Sequence, residues 1–291
     1  MASTQSTVVG SGNPVLKWVL RVIVVGYLFF LVAWPSSLIV SRAFEGGIEG
    51  FKEALSDPDV IHALQLSLTV AVCAVVINLV FGVGMSMLLV RYEFPGKRVL
   101  SALIDLPLAV SPIVVGLALV LVYNGRYGWF GPTLESHGLQ VVFAQPGMIM
   151  ATTFVALPLV IREVVPVLED MGDEQEQAAN SLGATGWQTF WRVTLPGIKW
   201  AVVYGVVLSL ARSLGEFGAV KVVAGNVSGE TTTAPVLVQQ KYQNFEQQTA
   251  YAVSFVLVAA AVLCLVVVAL LRPKDQKKGR ATATAAIQEK P

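Results

Sequence analysis

Charged residues are scarce in this sequence. Asp, Glu, Lys and Arg make up 13% of its 291 residues, about half the share found in soluble domains. Too few charges are present to keep a globule in solution when 55% of the chain is hydrophobic. An integral membrane protein of several spans is the class that remains. A net charge of +1 excludes the basic face that nucleic-acid binding requires. Cysteine is nearly absent: Cys73 and Cys264 both fall inside apolar runs, which leaves no disulfide framework and no thiolate metal site. The two histidines, His62 and His137, lie near the ends of apolar segments, where solvated roles outweigh catalytic ones. A phosphate-binding loop is also missing, because Gly96-Lys97-Arg98 lacks both the upstream glycine and the following Ser or Thr. The chain has no means of its own to hydrolyse ATP, and no catalytic residue or cofactor is expected in it.

What is present is a series of apolar runs. Residues 1–14 are polar and low in apolar content, which predicts a disordered tail. Val22–Val40 follows as 19 residues without a charge, close to the 20 or so that a crossing helix needs and too long for a cleaved signal peptide. Leu64–Val90 is uncharged for 27 residues. Val99–Tyr123 is interrupted only by Asp105 and punctuated by Pro107 and Pro112. Met148–Ile161 is short and continues towards Val165, Trp200–Val223 contains Arg212, Glu216 and Lys221, and Thr249–Leu271 carries no charge. Six spans are therefore predicted within a single unit, 15–272, followed by a charged tail, 273–291, expected to be disordered.

Basic residues outside the spans set the orientation. With the N-terminus inside, thirteen are internal (Lys17, Arg21, Arg91, Lys97, Arg98, Arg192, Lys199, Arg272, Lys274, Lys277, Lys278, Arg280 and Lys290) and four external (Arg42, Lys52, Arg126 and Lys241). Both termini are predicted to be cytoplasmic. In the last external loop, Ala234–Phe245 reads as a short surface helix, since Pro235 suits a first helical turn.

One long segment between spans is too polar for a bilayer: Asp173–Ile198, DEQEQAANSLGATGWQTFWRVTLPGI. Orientation places it in the cytoplasm. Asp173 is a good N-cap with Glu176 in capping-box position, and Gly183 ends the first short helix. A second helix, Trp187–Leu195, is expected to run until Pro196 stops it. Ala178 and Ala179 offer so little side chain that another surface can approach closely. On these residues alone the loop is either a docking surface or a plain amphipathic hairpin at the membrane edge.

The spacing Glu176, Ala178-Ala179, three residues, Gly183, nine residues, Val193-Thr194-Leu195-Pro196 resembles the EAA loop of ABC importer permeases. Gln177 stands in the acidic slot and Val193 in that of an isoleucine. YEFPGKR at 92–98, DLPLAVSPIVVGLAL at 105–119, GWFGP at 128–132, TTFVALP at 152–158 and GWQTFWRVTLPGIKW at 186–200 are similar to sulfate/thiosulfate permeases, and within that group to the CysW type. ARSLGEFGAV at 211–220 is similar in style to molybdate permeases as well. The resemblance implies an all-α membrane protein of the type I ABC importer permease (MetI-like) fold in a bacterial plasma (inner) membrane. It implies a heterodimer with a homologous second permease, two ATPase subunits that use ATP and Mg, and an extracytoplasmic sulfate-binding protein. Glu176, Gln177, Ala178, Ala179, Gly183, Val193, Leu195 and Pro196 would then form the contact with the ATPase.

Ionisable residues inside spans default to functional readings. Arg212 lies about 20 Å beyond Lys199 along a helix, and Glu216 is placed to pair with it at i, i+4. Arg212, with Ser213 beside it, either lines an anion path or only braces helix packing through Glu216. Asp105 snorkels to the interface or makes a structural hydrogen bond, or else pairs with a basic residue or helps form an inner gate near Pro107 and Pro112. Arg162 and Glu163 read as solvated or loop-bracing, with a coupling role as the lesser alternative. The readings that compete with sulfate or thiosulfate transport are a molybdate or tungstate permease, an ion-coupled secondary transporter, and a membrane scaffold without an ATPase.

Overall fold

The computed structural model describes residues 14–271. Of the two expected tails, 1–14 and 273–291, all but Pro14 lies outside the described residues, as does the basic cluster beyond 271. All regular structure among the described residues is helical. In chain order, α1 is Val15–Ala43, α2 is Gly47–Ser56 and α3 is Pro58–Arg91. Next come α4 (Lys97–Ala109), α5 (Pro112–Tyr123), α6 (Gly131–Ser136) and α7 (Gln145–Met171). The chain continues through α8 (Glu174–Ser181) and α9 (Gly186–Leu214), then α10 (Gly218–Val223). It finishes with α11 (Ala234–Gln243) and α12 (Gln247–Leu270). Among the described residues five helices, α1, α3, α7, α9 and α12, are long and apolar enough to cross a membrane, or six spans if the bent pair α4–α5 counts as one.

Proline chemistry accounts for most departures from the predicted spans. The third span is not one helix: α4 and α5 meet at 110°. Val110 and Ser111 are extended, with ψ of 137° and 134°, because the residue before Pro112 is driven out of the helical region. Pro196 does the opposite of what its sequence context predicts. It does not stop the Trp187–Leu195 helix, which is the opening of α9. Phe190–Thr194 forms a π turn immediately before it, and this wider turn accommodates the ring where it would otherwise collide with the carbonyl four residues back. The same device recurs in α1, where the π turn Phe29–Ala33 precedes Pro35. The fifth span is also shorter than Trp200–Val223 predicts at its far end. It stops at Leu214, Gly215 to Phe217 are non-helical, and α10 restarts the helix.

The centre of the bundle is α7 held between α3 and α9. A Cβ placed on Gly82 of α3 would lie 2.9 Å from Val160 Cγ1, and one on Gly205 of α9 would lie 2.8 Å from Val160 Cα. Two glycines thus let both neighbours approach the same turn of α7, the small-residue packing that substitutes for hydrophobic driving force inside a membrane. Val83, Val160, Val164, Leu168, Ile198 and Ala201 fill the space towards the end that carries residues 173–198 (the loop end). Helix α12 closes the bundle against α9 and α11, and α1 packs outside it on α12 with its apolar surface exposed.

At the opposite end α11 is the predicted helix, with Pro235 in its first turn, but it does not lie on the surface. Ala234, Val236 and Leu237 are buried, and Ala234 and Leu237 pack with Val60, Ala63 and Val253. The Ala234 N–H donates to Ser67 Oγ at 2.7 Å. Lys241 ties this helix down, with Nζ 3.0 Å from Asp57 Oδ2 and 2.7 Å from Glu246 Oε2. The hydrogen bond to Glu246, with help from Asp57, outweighs burial and raises the Lys241 ammonium above its ordinary value. Burial pushes the Asp57 carboxyl up, but the Lys241 hydrogen bond, the Asp59 amide and the Lys241 charge together hold it below the usual range. The Asp57 contribution to stability is present above its unfolded value and lost as pH falls through the lower folded one. The Lys241 contribution is present below about pH 10 and lost above it. Lys241→Met should therefore cost about 1–2 kcal/mol near neutrality. Thermal melts of purified protein should show this deficit constant from pH 5 to 9 and shrinking below about pH 4.

Candidate coupling site and translocation path

The polar segment is anchored by a residue that the sequence presents only as one more basic charge. Arg91, the last residue of α3, donates from Nε to Glu176 Oε2 at 2.9 Å and from Nη2 to Oε1 at 3.2 Å. Its other bonds go to the end of α7: Nη1 to the Leu168 carbonyl at 3.2 Å and Nη2 to the Gly172 carbonyl at 2.8 Å. Thr194 Oγ1 adds a third donor to Glu176, at 2.7 Å. One guanidinium thus joins the ends of α3 and α7 to α8, and Glu176 joins α8 to the start of α9. Both side chains are 13% exposed.

This clamp overturns the expected capping box. Glu176 faces inward and does not reach back to Asp173, whose own carboxylate takes the Gln177 side-chain amide at 2.7 Å and no backbone amide. Charge-assisted bonds to Arg91 outcompete a bond to one backbone N–H. A capping box does form in the loop, one helix later: Thr185 Oγ1 accepts from the Gln188 N–H and Gln188 Oε1 accepts from the Thr185 N–H. The signal was present as Thr185-Gly186-Trp187-Gln188.

Gly183 ends α8 as predicted, and the geometry explains why glycine stands there. Its φ is +87°, a left-handed conformation that L side chains resist. Its N–H donates to the Asn180 carbonyl at 3.0 Å, and the next N–H, of Ala184, to the Ala179 carbonyl at 3.1 Å, the paired bonds of a Schellman turn. Thr189 Oγ1 then donates to Asn180 Oδ1 at 3.1 Å, fastening α8 to the first turn of α9.

Of the predicted coupling residues, Gln177, Ala178, Gly183 and Pro196 are exposed, Ala179 and Val193 are half-buried, and Glu176 and Leu195 face inward. The outward surface is the small one, with nothing within 4 Å of a Cβ placed on Gly183. Sequence reasoning missed Leu182, which is 89% exposed beside it. An apolar residue between Ser181 and Gly183 at a helix end was the available signal.

The second group of candidates lies where two helices break. Arg212 Nη1 is 2.8 Å from Glu216 Oε2, with the Arg212 side chain 39% exposed and Glu216 2%. The pair at i, i+4 forms as predicted, although Glu216 stands past the end of α9. Its other oxygen accepts the Ala219 N–H at 2.9 Å and caps the first turn of α10. Ser213 is buried and its hydroxyl makes no hydrogen bond among the described residues. A Cβ on Gly218 would meet Pro112 Cβ at 3.1 Å, so the interruption between α9 and α10 abuts that between α4 and α5. Non-helical backbone inside a membrane is tolerated where protein buries it or water reaches it. Asp105 is not part of this group. It pairs with Arg162 of α7 at 3.0 Å, the pairing with a basic residue that its sequence position left open beside a gate or an interfacial role, and Arg162 is thereby more than a solvated residue.

Five long apolar helices with a bent pair between them, a clamped polar loop at one end and charged pairs where helices break are the architecture of a membrane transport subunit. The chain belongs to the family described as binding-protein-dependent transport system inner membrane component, whose model matches residues 78–278. It is 44% identical over 254 residues to the sulfate transport system permease protein CysW of Synechococcus elongatus, covering 87% of this chain and 88% of that one. The CysW protein of Escherichia coli is 42% identical over 264 residues, with 90% of each chain covered. A second kind of relative, the sulfate transport system permease protein CysT of Synechocystis, is 33% identical over 257 residues, 88% of each chain. In three dimensions the chain is similar to a bacterial ABC transporter crystal structure, one involved in alginate import. The TM-score is 0.72 at 18% identity, over 88% of this chain and 93% of the other. The fold is thus that of an ABC importer permease.

Proposed function

We propose that this chain is one of two permease subunits of an ATP-driven sulfate importer. The observation that carries the substrate is the extended likeness to CysW proteins, 44% and 42% identical over most of both chains. The additional likeness to CysT supports a homologous second permease as partner. The family description names a binding protein, which supplies the external partner. Two ATPase subunits belong on the other side, against the face of α8 that bears Ala178, Ala179 and Gly183. The inward bias of basic residues puts that face, and both termini, in the cytoplasm.

Physics supplies a reason for a motor. Moving one charge against 100 mV costs about 2.3 kcal/mol, and sulfate carries two negative charges into a negative interior. ATP-driven closure of the motor would move α8, and the Arg91–Glu176 clamp would carry that movement to α3, α7 and α9. Bond breaking falls to the ATPase subunits on this reading.

On this reading Arg212 lines the path. Its guanidinium has one carboxylate contact and is more than one-third exposed, which leaves donors for a tetrahedral oxyanion. Labelled-sulfate uptake by vesicles holding the complete complex tests the function directly. Uptake should require ATP and the binding protein, and molybdate uptake in its place would overturn the sulfate reading. Arg212→Gln should reduce sulfate uptake tenfold or more with normal subunit assembly, whereas a purely structural arginine would lose assembly in parallel.

A further inference from the structure

The arginine of α7 has the geometry of a second anion-handling residue. Arg162 is nine residues from the loop end of α7 at Met171, about 13 Å along the helix axis. Its side chain is 57% exposed and that of Asp105 47%. Charges at such depth face a bundle interior or a water-filled cavity, since lipid would penalise them. Only Nε makes a hydrogen bond, donating to Asp105 Oδ1 at 3.0 Å; among the described residues neither Nη atom makes one. Arg91 shows the contrast, with both of its Nη atoms bound to carbonyl oxygens. At the loop end, enclosed by α4, α7 and the turn that follows α3, is a cavity of about 640 Å³ lined in part by Glu93, Lys97, Arg98, Ser101, Val165 and Glu169. Ser101 is one turn from Asp105 on α4, and Val165 is three residues from Arg162 on α7, so the cavity wall begins about one turn to the loop side of the pair, which does not itself line it.

The geometry points to Arg162 as a positive group that holds the dianion on its way to release, one step ahead of the cavity that Lys97 and Arg98 line. This rests on the sulfate-import reading above. The free fork of the guanidinium takes two sulfate oxygens in the bidentate manner. The Asp105 carboxylate, fixed on Nε, opposes tight retention of the anion, as a conducting site requires. Asp105 is then a positioning residue for Arg162. The arrangement differs from a simple staple between α4 and α7, in which the two members would matter equally.

The test uses the complete complex in vesicles with ATP and binding protein, and reads labelled-sulfate uptake against complex yield and basal ATP hydrolysis. Arg162→Gln should lower uptake tenfold or more, and Asp105→Asn no more than threefold. Arg162→Lys, which keeps a cation beside Asp105 but removes the fork, should assemble normally and still lose uptake severalfold. Exchanging the two residues should not restore transport. Equal losses in Arg162→Gln and Asp105→Asn, rescue by the exchange, or full uptake in Arg162→Lys would each overturn the assignment while wild-type sulfate uptake stands. Absence of sulfate uptake in the wild type would overturn the import reading and this assignment with it.

Discussion

Arg91→Met is expected to uncouple the protein. The substitution leaves the Glu176 carboxylate mostly buried, with Thr194 as its only remaining side-chain donor among the described residues, and strips two carbonyls at the end of α7 of their partner. Removing one member of such a pair costs about 3–5 kcal/mol, concentrated where α8 joins the bundle. Binding-protein-stimulated ATP hydrolysis and sulfate uptake should fall at least tenfold, because a detached α8 no longer moves the spans. The double variant Arg91→Met, Glu176→Met separates stability from coupling. It should recover much of the thermal stability, since no unpaired charge is left, yet remain uncoupled. Gln177→Ala, at an exposed position, should leave stability within about 0.5 kcal/mol of wild type. An Arg91→Met protein with wild-type uptake would show that the clamp transmits nothing.

Gly205→Leu should prevent assembly of the bundle. The contact at Gly205 is with backbone: a Cβ there would sit 2.8 Å from Val160 Cα, and no rotamer change of Val160 can relieve it. Overpacking in a close-packed interior costs about 1–3 kcal/mol even where side chains can shift, and here α9 must move away from α7. The same displacement separates Ile198 and Ala201 from Val164 and Leu168. Gly84→Leu is the matched control, because a Cβ on Gly84 meets nothing within 4 Å although it lies two residues from the tightly packed Gly82. Size-exclusion profiles and yields in detergent should show loss of folded protein for Gly205→Leu and near-normal behaviour for Gly84→Leu.

The number of spans and the existence of the polar loop were legible in the sequence because both depend on local composition: an apolar run long enough to cross needs no tertiary contact to declare itself. Gly183 was legible for the same reason, since a left-handed helix end selects glycine whatever packs around it. The prolines were not. Pro112 breaks a span whereas Pro196 is carried inside α9, and the difference lies in a π turn that becomes visible only in three dimensions. The charged residues were half legible. Arg212 and Glu216 are one turn apart and could be paired on sight, whereas Arg91 and Glu176 are 85 residues apart and Arg162 and Asp105 are 57 apart. Nothing local distinguishes Arg91 from any other basic residue at a membrane edge. Its role exists because α3 and α7 end at the same level, next to the start of α8. The buried face of α11 was missed for a related reason: Val236 and Leu237 are too few to predict burial until α3 and α12 are seen to enclose them.

The central claim is that residues 173–198 transmit the work of an ATPase to the sulfate path, and Gly183→Pro tests it most directly. Proline cannot adopt a φ of +87°, and it lacks the N–H that Gly183 donates to the Asn180 carbonyl, so the outward face of α8 is disrupted while the spans are left intact. The measurement is sulfate-binding-protein-stimulated ATP hydrolysis by the complex of this chain, its second permease and a candidate ATPase, reconstituted in vesicles. The account predicts that the wild-type complex is stimulated by the sulfate-loaded binding protein, and that Gly183→Pro loses this stimulation or fails to retain the ATPase. Undiminished stimulation and assembly in Gly183→Pro would contradict it.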